Sequence, residues 1–150
     1  MVHYVNGDLI KSDCTYICHQ VNCQGKMNSG IAKAIRERYL AVYEMYVKVA
    51  SPERLGEIQP VFVKHEGQIR CVINMFAQND YGYDGSRYTS YDAFWSCLGA
   101  IKNTVPKGTK IGFPDHIGSC RGGANWEVIK TMIEQVLGED YEVFIYVWEG

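Results

Sequence analysis

The chain has 150 residues, of which 47% are hydrophobic and 21% are charged, and its formal net charge is −2. This length and composition indicate one soluble globular domain over residues 1–150, and no apolar run approaches the ~18 residues of a membrane span. The 15 basic residues are scattered, which argues against general nucleic-acid binding, and the first ten residues lack a signal-peptide pattern, so we expect a cytoplasmic protein.

The first third of the chain predicts two strands and a helix. A brief strand at 2–5 ends at Asn6-Gly7, and a second strand covers 15–21. Apolar residues at three- and four-residue steps then predict one long helix, which ends at Pro52 and Gly56. This stripe consists of Ile31, Ile35, Tyr39, Val42, Tyr46 and Val49.

A polar loop containing Gly25 and Gly30 joins the second strand to this helix, and Ser29 is a residue type that caps helices. Free amides at the helix start and the positive end of the helix dipole would suit a phosphate. The loop matches neither the Walker nor the dinucleotide glycine pattern. It is therefore equally typical of an ordinary helix start with a glycine turn.

The middle of the chain predicts a β-hairpin followed by a long loop. The runs at 58–64 and 69–76 are rich in β-forming residues and are separated by a short turn. The polar and aromatic segment 77–90 has no apolar period, and loops of this length are often functional. Its tyrosines Tyr81, Tyr83 and Tyr88 either cover a bound ligand or pack the loop against the body of the protein.

The last third predicts helix, strand, helix and strand. A helix runs from Tyr91 to about Val105, a short strand covers 110–113, and a third helix starts at Trp126. The loop at 114–126 contains three glycines, which let the backbone approach a ligand closely. The final strand, 142–148, is apolar on both faces, as expected for a strand that helices cover on each side.

This order of elements predicts an α/β fold. Strands that alternate with helices favour a three-layer α/β/α sandwich, and the hairpin requires an antiparallel pair, so we expect a mixed sheet of about six strands. Ligands of such sheets bind beyond the carboxyl ends of the strands. Two glycine loops meeting there predict a cleft for a nucleotide or a sugar phosphate.

The chain has six cysteines, which could form disulfides, bind zinc or serve as small core residues. Their spacings contain no C-x-x-C pair, and several fall within apolar runs. We therefore expect reduced structural thiols, no metal and no cofactor. The cysteines are Cys14, Cys18, Cys23, Cys71, Cys97 and Cys120.

Four ordered motifs resemble the macrodomain family, whose fold binds ADP-ribose. They are VNGDL near the start, CHQVNCQGKMNSGIA, FPDHIGSCRGGANWEVI and the terminal VFIYVW. The resemblance covers nearly the whole chain. It is closest to a small branch that includes ADP-ribose-1″-phosphate phosphatases, terminal ADP-ribose glycohydrolases and phage-encoded relatives.

The resemblance implies a set of ligand-binding residues. Asp8 would accept a hydrogen bond from the adenine amino group, with Leu9 beside it, and Asn22 would hold the distal ribose. Either Tyr146 or Trp148 would stack on adenine. The two loops would enclose the diphosphate through Gly30, Ile31 and Ala32 on one side and Ile117, Gly118, Ser119, Cys120, Arg121 and Gly122 on the other. Gln20, Met27 and Ser29 complete the implied set.

The sequence departs from the family pattern where catalysis is concerned. Asn28 replaces a usual glycine, Asn125 stands where phage-type relatives often carry aspartate, and Gly122 stands where the glycohydrolase branch has aspartate. The lysine of that branch is expected near Arg87 or Tyr88, and the sequence has none there. Arginine stays protonated and is a poor nucleophile, which argues against a lysine-dependent mechanism.

His19, Asp115 and His116 remain as candidates for proton transfer. His19 resembles the histidine of phosphatase-type members and could exchange a proton near neutral pH, or it is a buried histidine bonded to a neighbouring group. Asp115 and His116 either provide a base or lie at the rim of the site.

Three functions follow from the resemblance. One is slow hydrolysis of ADP-ribose-1″-phosphate to ADP-ribose and phosphate, and another is binding of ADP-ribose or a derived signal without turnover. Removal of ADP-ribose from protein or nucleic acid is the third and is less favoured. We expect a small-molecule ligand, ADP-ribose or a derivative of it, and no membrane partner.

Overall fold

A computed structural model describes residues 1–148. Within that range, six strands form one mixed sheet in the order β1-β6-β5-β2-β4-β3, in which β3 and β4 are antiparallel and the other neighbours are parallel. The strands are β1 (Val2–Asn6), β2 (Tyr16–Val21), β3 (Ile58–His65), β4 (Gln68–Phe76), β5 (Lys110–Pro114) and β6 (Glu142–Val147). This confirms the predicted mixed six-stranded sheet.

Helices cover both faces of the sheet. They are α1 (Gly30–Arg38), α2 (Leu40–Val49), α3 (Tyr91–Thr104) and α4 (Trp126–Leu137), with a short 3₁₀ turn at Pro52–Arg54. One core lies between the sheet and α1–α2 and the other between the sheet and α3–α4. The predicted three-layer α/β/α sandwich is therefore confirmed. Every helix within residues 1–148 is too short or too polar to cross a membrane.

The predicted single long helix is wrong, because the structure breaks it into α1 and α2 at Tyr39. The backbone of Tyr39 leaves the helical region, with φ −132° and ψ 79°. Its phenol oxygen accepts a hydrogen bond from Arg70 Nη1 at 3.1 Å and lies 2.7 Å from His65 Nδ1. These contacts hold the side chain in the core at the break, so the apolar stripe continues although the helix does not.

Arg70 is buried and fixes the loop that follows β1. Its guanidinium donates to the backbone carbonyls of Ile10 at 2.6 Å and Cys14 at 3.1 Å, and also to that of Ser12. A buried cation is tolerated only when its donors are paired, and here carbonyl oxygens pair them. The loop that carries Asp8 is thereby tied to β4.

Candidate functional site

Two adjoining cavities form one groove beyond the carboxyl ends of the parallel strands. Their volumes are about 280 and 370 Å³. We call the parts of the groove the Asn22 end and the Asp8 end, after one wall residue of each. The walls common to both cavities are Gly30, Ile31, Pro114, Asp115, His116 and Cys120. The groove thus runs continuously between the two glycine loops, as the fold class predicts.

The first glycine loop places the start of α1 at the groove. Ser29 is the N-cap residue in extended conformation, and its side chain makes no capping hydrogen bond among the described residues. The first helical amides lack intrahelical acceptors, so they remain available to an anion. Gly30 has φ +59°, and apart from its chain neighbours and the backbone of its own helix no described atom lies within 4 Å of where its Cβ would be. The backbone at Gly30 therefore has open space for a ligand.

The second glycine loop is held by the segment that precedes α3. Thr89 Oγ1 donates to the carbonyl of Gly118 at 2.8 Å, and the amides of Tyr88 and Thr89 donate to the carbonyl of Gly122 at 2.8 and 3.0 Å. A Cβ at Gly122 would collide with Thr89 Oγ1 and lie 2.5 Å from the carbonyl oxygen of Gly118. An aspartate at position 122 would therefore require this part of the site to be rebuilt.

The Asp8 end combines a carboxylate with an aromatic wall. Asp8 Oδ1 accepts a hydrogen bond from the amide of Ile10 at 2.9 Å, which leaves Oδ2 for a ligand. The ring of Tyr146 lines this end, and burial raises the pKa of its phenol to about 12, so the hydroxyl stays protonated at neutral pH. Leu9 is buried, whereas Trp148 follows β6 at the rim and is 69% exposed.

The walls of the Asn22 end include four side-chain amides, those of Gln20, Asn22, Asn28 and Gln78. Gln20 Nε2 donates to Gln78 Oε1 and to Thr89 Oγ1, both at 2.7 Å. Gln20 Oε1 is buried and has no hydrogen-bond partner among the described residues. This leaves an acceptor at the floor of the groove, close to where a sugar hydroxyl could donate.

Five wall residues of this end were missed from the sequence, namely Val21, Lys26, Asn28, Gln78 and Pro114. Gln78 comes two residues after β4, and Lys26 lies in the loop before α1. The available signal for Gln78 was its position: it is the first polar residue beyond a buried strand at the ligand-binding edge of the sheet. Lys26 carried no such signal, because an exposed lysine in a polar loop is usually just solvated.

Asp115 and His116 form the wall in the middle of the groove. His116 Nδ1 lies 2.8 Å from Asp115 Oδ2, and its ring stacks on Trp126 with centroids 5.1 Å apart. The His116 backbone has φ +59°, a conformation uncommon for residues other than glycine and adopted most often by asparagine, aspartate and histidine. The pair belongs to the second glycine loop and lines both cavities, where a ligand that spans the groove would pass.

The structure brings most of the sequence-derived residues together but not all. Met27 is fully buried in the core beneath α1 and α2 and lies outside the walls of both cavities, so its side chain does not face the groove. Ser119 lies outside the walls of both cavities, and its Oγ is buried. The groove walls do include Asp8, Leu9, Gln20, Asn22, Ser29, Gly30, Ile31, Ala32, Ile117, Gly118, Cys120, Arg121, Gly122, Tyr146 and Trp148.

His19 occupies the core rather than the groove. It is fully buried between the sheet and α1–α2, where its Nε2 donates to Asn74 Oδ1 at 2.5 Å. Burial lowers the pKa of His19 to about 4, so it is neutral at physiological pH. The side chain therefore lies outside the walls of the groove, which argues against the predicted proton transfer by His19.

Two cationic side chains, Lys26 and Arg121, line the Asn22 end from opposite sides. Lys26 belongs to the first loop and Arg121 to the second, and both are exposed. The guanidinium of Arg121 lies 4.2 Å from the ring centroid of Tyr83. Tyr88, by contrast, donates to Asp84 Oδ1 at 2.8 Å within its own loop. Of the loop tyrosines, Tyr83 is therefore in contact with a groove residue and Tyr88 is engaged within the loop.

Comparison with known proteins gives relatives over the whole chain. No protein-family model matches it. The DNA ADP-ribosyl glycohydrolase of Mycobacterium tuberculosis is 34% identical over 157 aligned residues, which cover all of this chain and 43% of that protein. This chain thus spans less than half the length of that curated relative.

Solved structures resemble the chain at lower identity. The macrodomain of Mycobacterium tuberculosis DarG has a TM-score of 0.78 at 21% identity, over 97% of each chain. Thermosipho africanus DarTG in complex with ADP-ribose has a TM-score of 0.76 at 17% identity, over 97% of this chain and 41% of that one. These likenesses extend over the entire sandwich rather than over one motif.

Proposed function

The chain is a macrodomain by fold, as its motifs predict, and we propose that its groove binds ADP-ribose. The observation that carries the proposal is one continuous groove with three chemically different parts in the order that the ligand requires. The free Oδ2 of Asp8 and the ring of Tyr146 suit an aminopurine. The glycine loops suit a diphosphate, and the amides at the Asn22 end suit a ribose.

Asp8→Ala should weaken ADP-ribose binding about tenfold, because it removes an acceptor for the adenine amino group and leaves that donor unpaired. Isothermal titration calorimetry measures the change directly. Asp13→Ala is the matched control: its carboxylate pairs with Lys110 at 3.0 Å and is 76% exposed, outside the groove walls. Equal affinity in wild type and Asp8→Ala would remove Asp8 from the site.

We propose further that binding dominates over turnover. The position equivalent to one carboxylate, Gly122, has no room for a side chain, and Asn125 caps α4 by accepting from the amide of Glu127 at 2.9 Å. His19 lies in the core. The titratable pair that lines the groove is Asp115 and His116, and no lysine or carboxylate replaces the missing groups at positions 87, 122 and 125.

Hydrolysis of ADP-ribose-1″-phosphate should therefore be slow, since a positioned acid or base is typically worth about 100- to 10,000-fold in rate. We expect phosphate release over hours, reduced further in Asp115→Asn and unchanged in His19→Gln. A colorimetric phosphate assay measures both. Fast release, or release that depends on His19, would contradict this assignment.

Removal of ADP-ribose from DNA is the second candidate, favoured by the 34% identity with an enzyme named for that activity. The exposed cations Lys26 and Arg121 at the Asn22 end would suit a phosphate backbone next to the attached ribose. The same assay series, run with a single-stranded oligonucleotide that carries ADP-ribose on one base, distinguishes the candidates. Release of ADP-ribose from the oligonucleotide, much faster than release of phosphate from ADP-ribose-1″-phosphate, would establish the DNA activity.

A further inference from the structure

Tyr46 is a fully buried residue of α2 whose hydroxyl contacts a groove-wall residue from the core side. Its Oη lies 2.6 Å from the backbone carbonyl of Asn22 and 2.8 Å from Asn22 Oδ1. Burial raises the pKa of Tyr46 well above its usual range, so the hydroxyl stays protonated and donates. Both of its acceptors belong to one residue, and that residue lines the groove.

Asn22 in turn organises the loop that follows β2. Its Oδ1 accepts from the amides of Gln24 at 3.0 Å and Lys26 at 3.3 Å, and its Nδ2 donates to the carbonyl of Lys26 at 2.9 Å. A side-chain amide has two N–H donors, so one Nδ2 proton remains for a ligand. Because Asn22 is only 9% exposed, the orientation of its amide decides whether that proton faces the groove.

We infer that Tyr46 is a positioning residue for the Asn22 end of the groove, which acts by holding the Asn22 amide in its ribose-binding orientation. The inference rests on the proposed function and adds to it a residue that touches no ligand. The Tyr46 hydroxyl has one proton, which lies between the backbone carbonyl oxygen and Oδ1 of Asn22, and the flipped amide would lose the contact to Oδ1. Lys26, whose amide and carbonyl both bond to Asn22, is held by the same arrangement.

The inference predicts an effect on one part of the ligand. Without the hydroxyl, the Asn22 amide keeps its hydrogen bonds to Gln24 and Lys26 but loses the contact from the core side. Its spare N–H is then held less firmly toward the distal ribose. ADP has the adenosine and the diphosphate of ADP-ribose but lacks that ribose. A loss confined to ADP-ribose therefore reports on the Asn22 end, whereas general loosening of the fold would weaken both ligands.

The test compares Tyr46→Phe with wild type by calorimetry, using ADP-ribose and ADP. We expect about a tenfold loss of affinity for ADP-ribose, the usual effect of one hydrogen bond, and less than about a twofold change for ADP. Tyr141→Phe is the matched control. Tyr141 is also buried, at 2% exposed, and its hydroxyl donates to the carbonyl of Val105 at 2.6 Å. Tyr141 precedes β6 and lies outside the groove walls. The control variant should lower the thermal midpoint as Tyr46→Phe does and leave both affinities unchanged.

A double variant shows whether Tyr46 acts through Asn22. The ADP-ribose affinity of Tyr46→Phe/Asn22→Ala should equal that of Asn22→Ala alone, since the hydroxyl then has no amide to orient. Losses that add, or a Tyr46→Phe loss that is equal for ADP and ADP-ribose, would overturn the inference while leaving ADP-ribose binding intact. A wild-type protein that binds neither nucleotide would overturn the proposed function and this inference with it.

Discussion

Gly30→Glu should abolish ADP-ribose binding while the protein stays folded. Gly30 lines both cavities, and no described atom lies within 4 Å of a Cβ built there, so the new side chain enters the groove rather than the core. It brings a negative charge to the place where the diphosphate should meet the first amides of α1. Exclusion by bulk and like-charge repulsion together should weaken binding at least about 100-fold, as calorimetry would show. Gly118 is less suitable, because its Cβ would lie 2.9 Å from Gln20 Oε1 and the change would also disturb the wall.

The control for backbone strain is Gly67→Glu. Gly67 has φ +78°, lies in the β3–β4 hairpin turn, and likewise has no described atom within 4 Å of its Cβ position. Both variants therefore place glutamate on a left-handed backbone in open space, but only one does so in the groove. If the two variants have similar thermal midpoints, and Gly67→Glu binds ADP-ribose while Gly30→Glu does not, the diphosphate lies at Gly30. Normal ADP-ribose affinity in Gly30→Glu would mean that the ligand does not pass between the two loops.

The sandwich could be predicted from local patterns because each pattern reports burial directly. The alternating faces of 142–147 correspond to β6, whose two faces pack in both cores, and the apolar stripe at 91–101 corresponds to α3, which packs in the α3–α4 core. The break at Tyr39 could not be predicted in this way. The stripe keeps its spacing through the break, and the contacts that hold Tyr39, with Arg70 and His65, come from residues more than 25 positions away.

In the candidate site, too, some features could be predicted from the sequence and others could not. The glycine loops were recognisable because close backbone approach and positive φ values require glycine, as at Gly30 and Gly118. The sequence did not indicate which face of β2 His19 occupies. Both faces of the strand are covered by helices, and a position three residues before Asn22 does not decide between them. Its neighbours Ile17 and Val21, two residues away on either side, lie in the α1–α2 core, and His19 shares their face. Gln20 faces the other way and reaches the groove.

The core position of His19 makes the stability of the protein depend on pH. Its folded-state pKa is about 4, against 6.5 for the unperturbed group, because burial disfavours the charged form. Above about pH 6.5 the imidazole is neutral in both states and contributes no pH dependence. Between pH 6.5 and 4 the unfolded chain binds a proton that the folded protein does not, so the free energy of unfolding falls as the pH is lowered. The expected loss is about 3 kcal/mol at pH 4.

His19→Gln isolates this contribution. Glutamine has no titrating group and can still donate an N–H to Asn74 Oδ1. Among the described side chains, His19 is the one that donates to this oxygen. Urea unfolding of both proteins at about pH 7 and pH 4 gives the free energy of unfolding at each pH. Burial also lowers the pKa of His65. His65 and the carboxylates are the same in both proteins, so their contributions cancel in the comparison. We expect the wild type to lose about 3 kcal/mol more than the variant over this range. Parallel losses in the two proteins would mean that His19 is charged in the folded state, which requires either a partner for Nδ1 or access to water that the core position excludes.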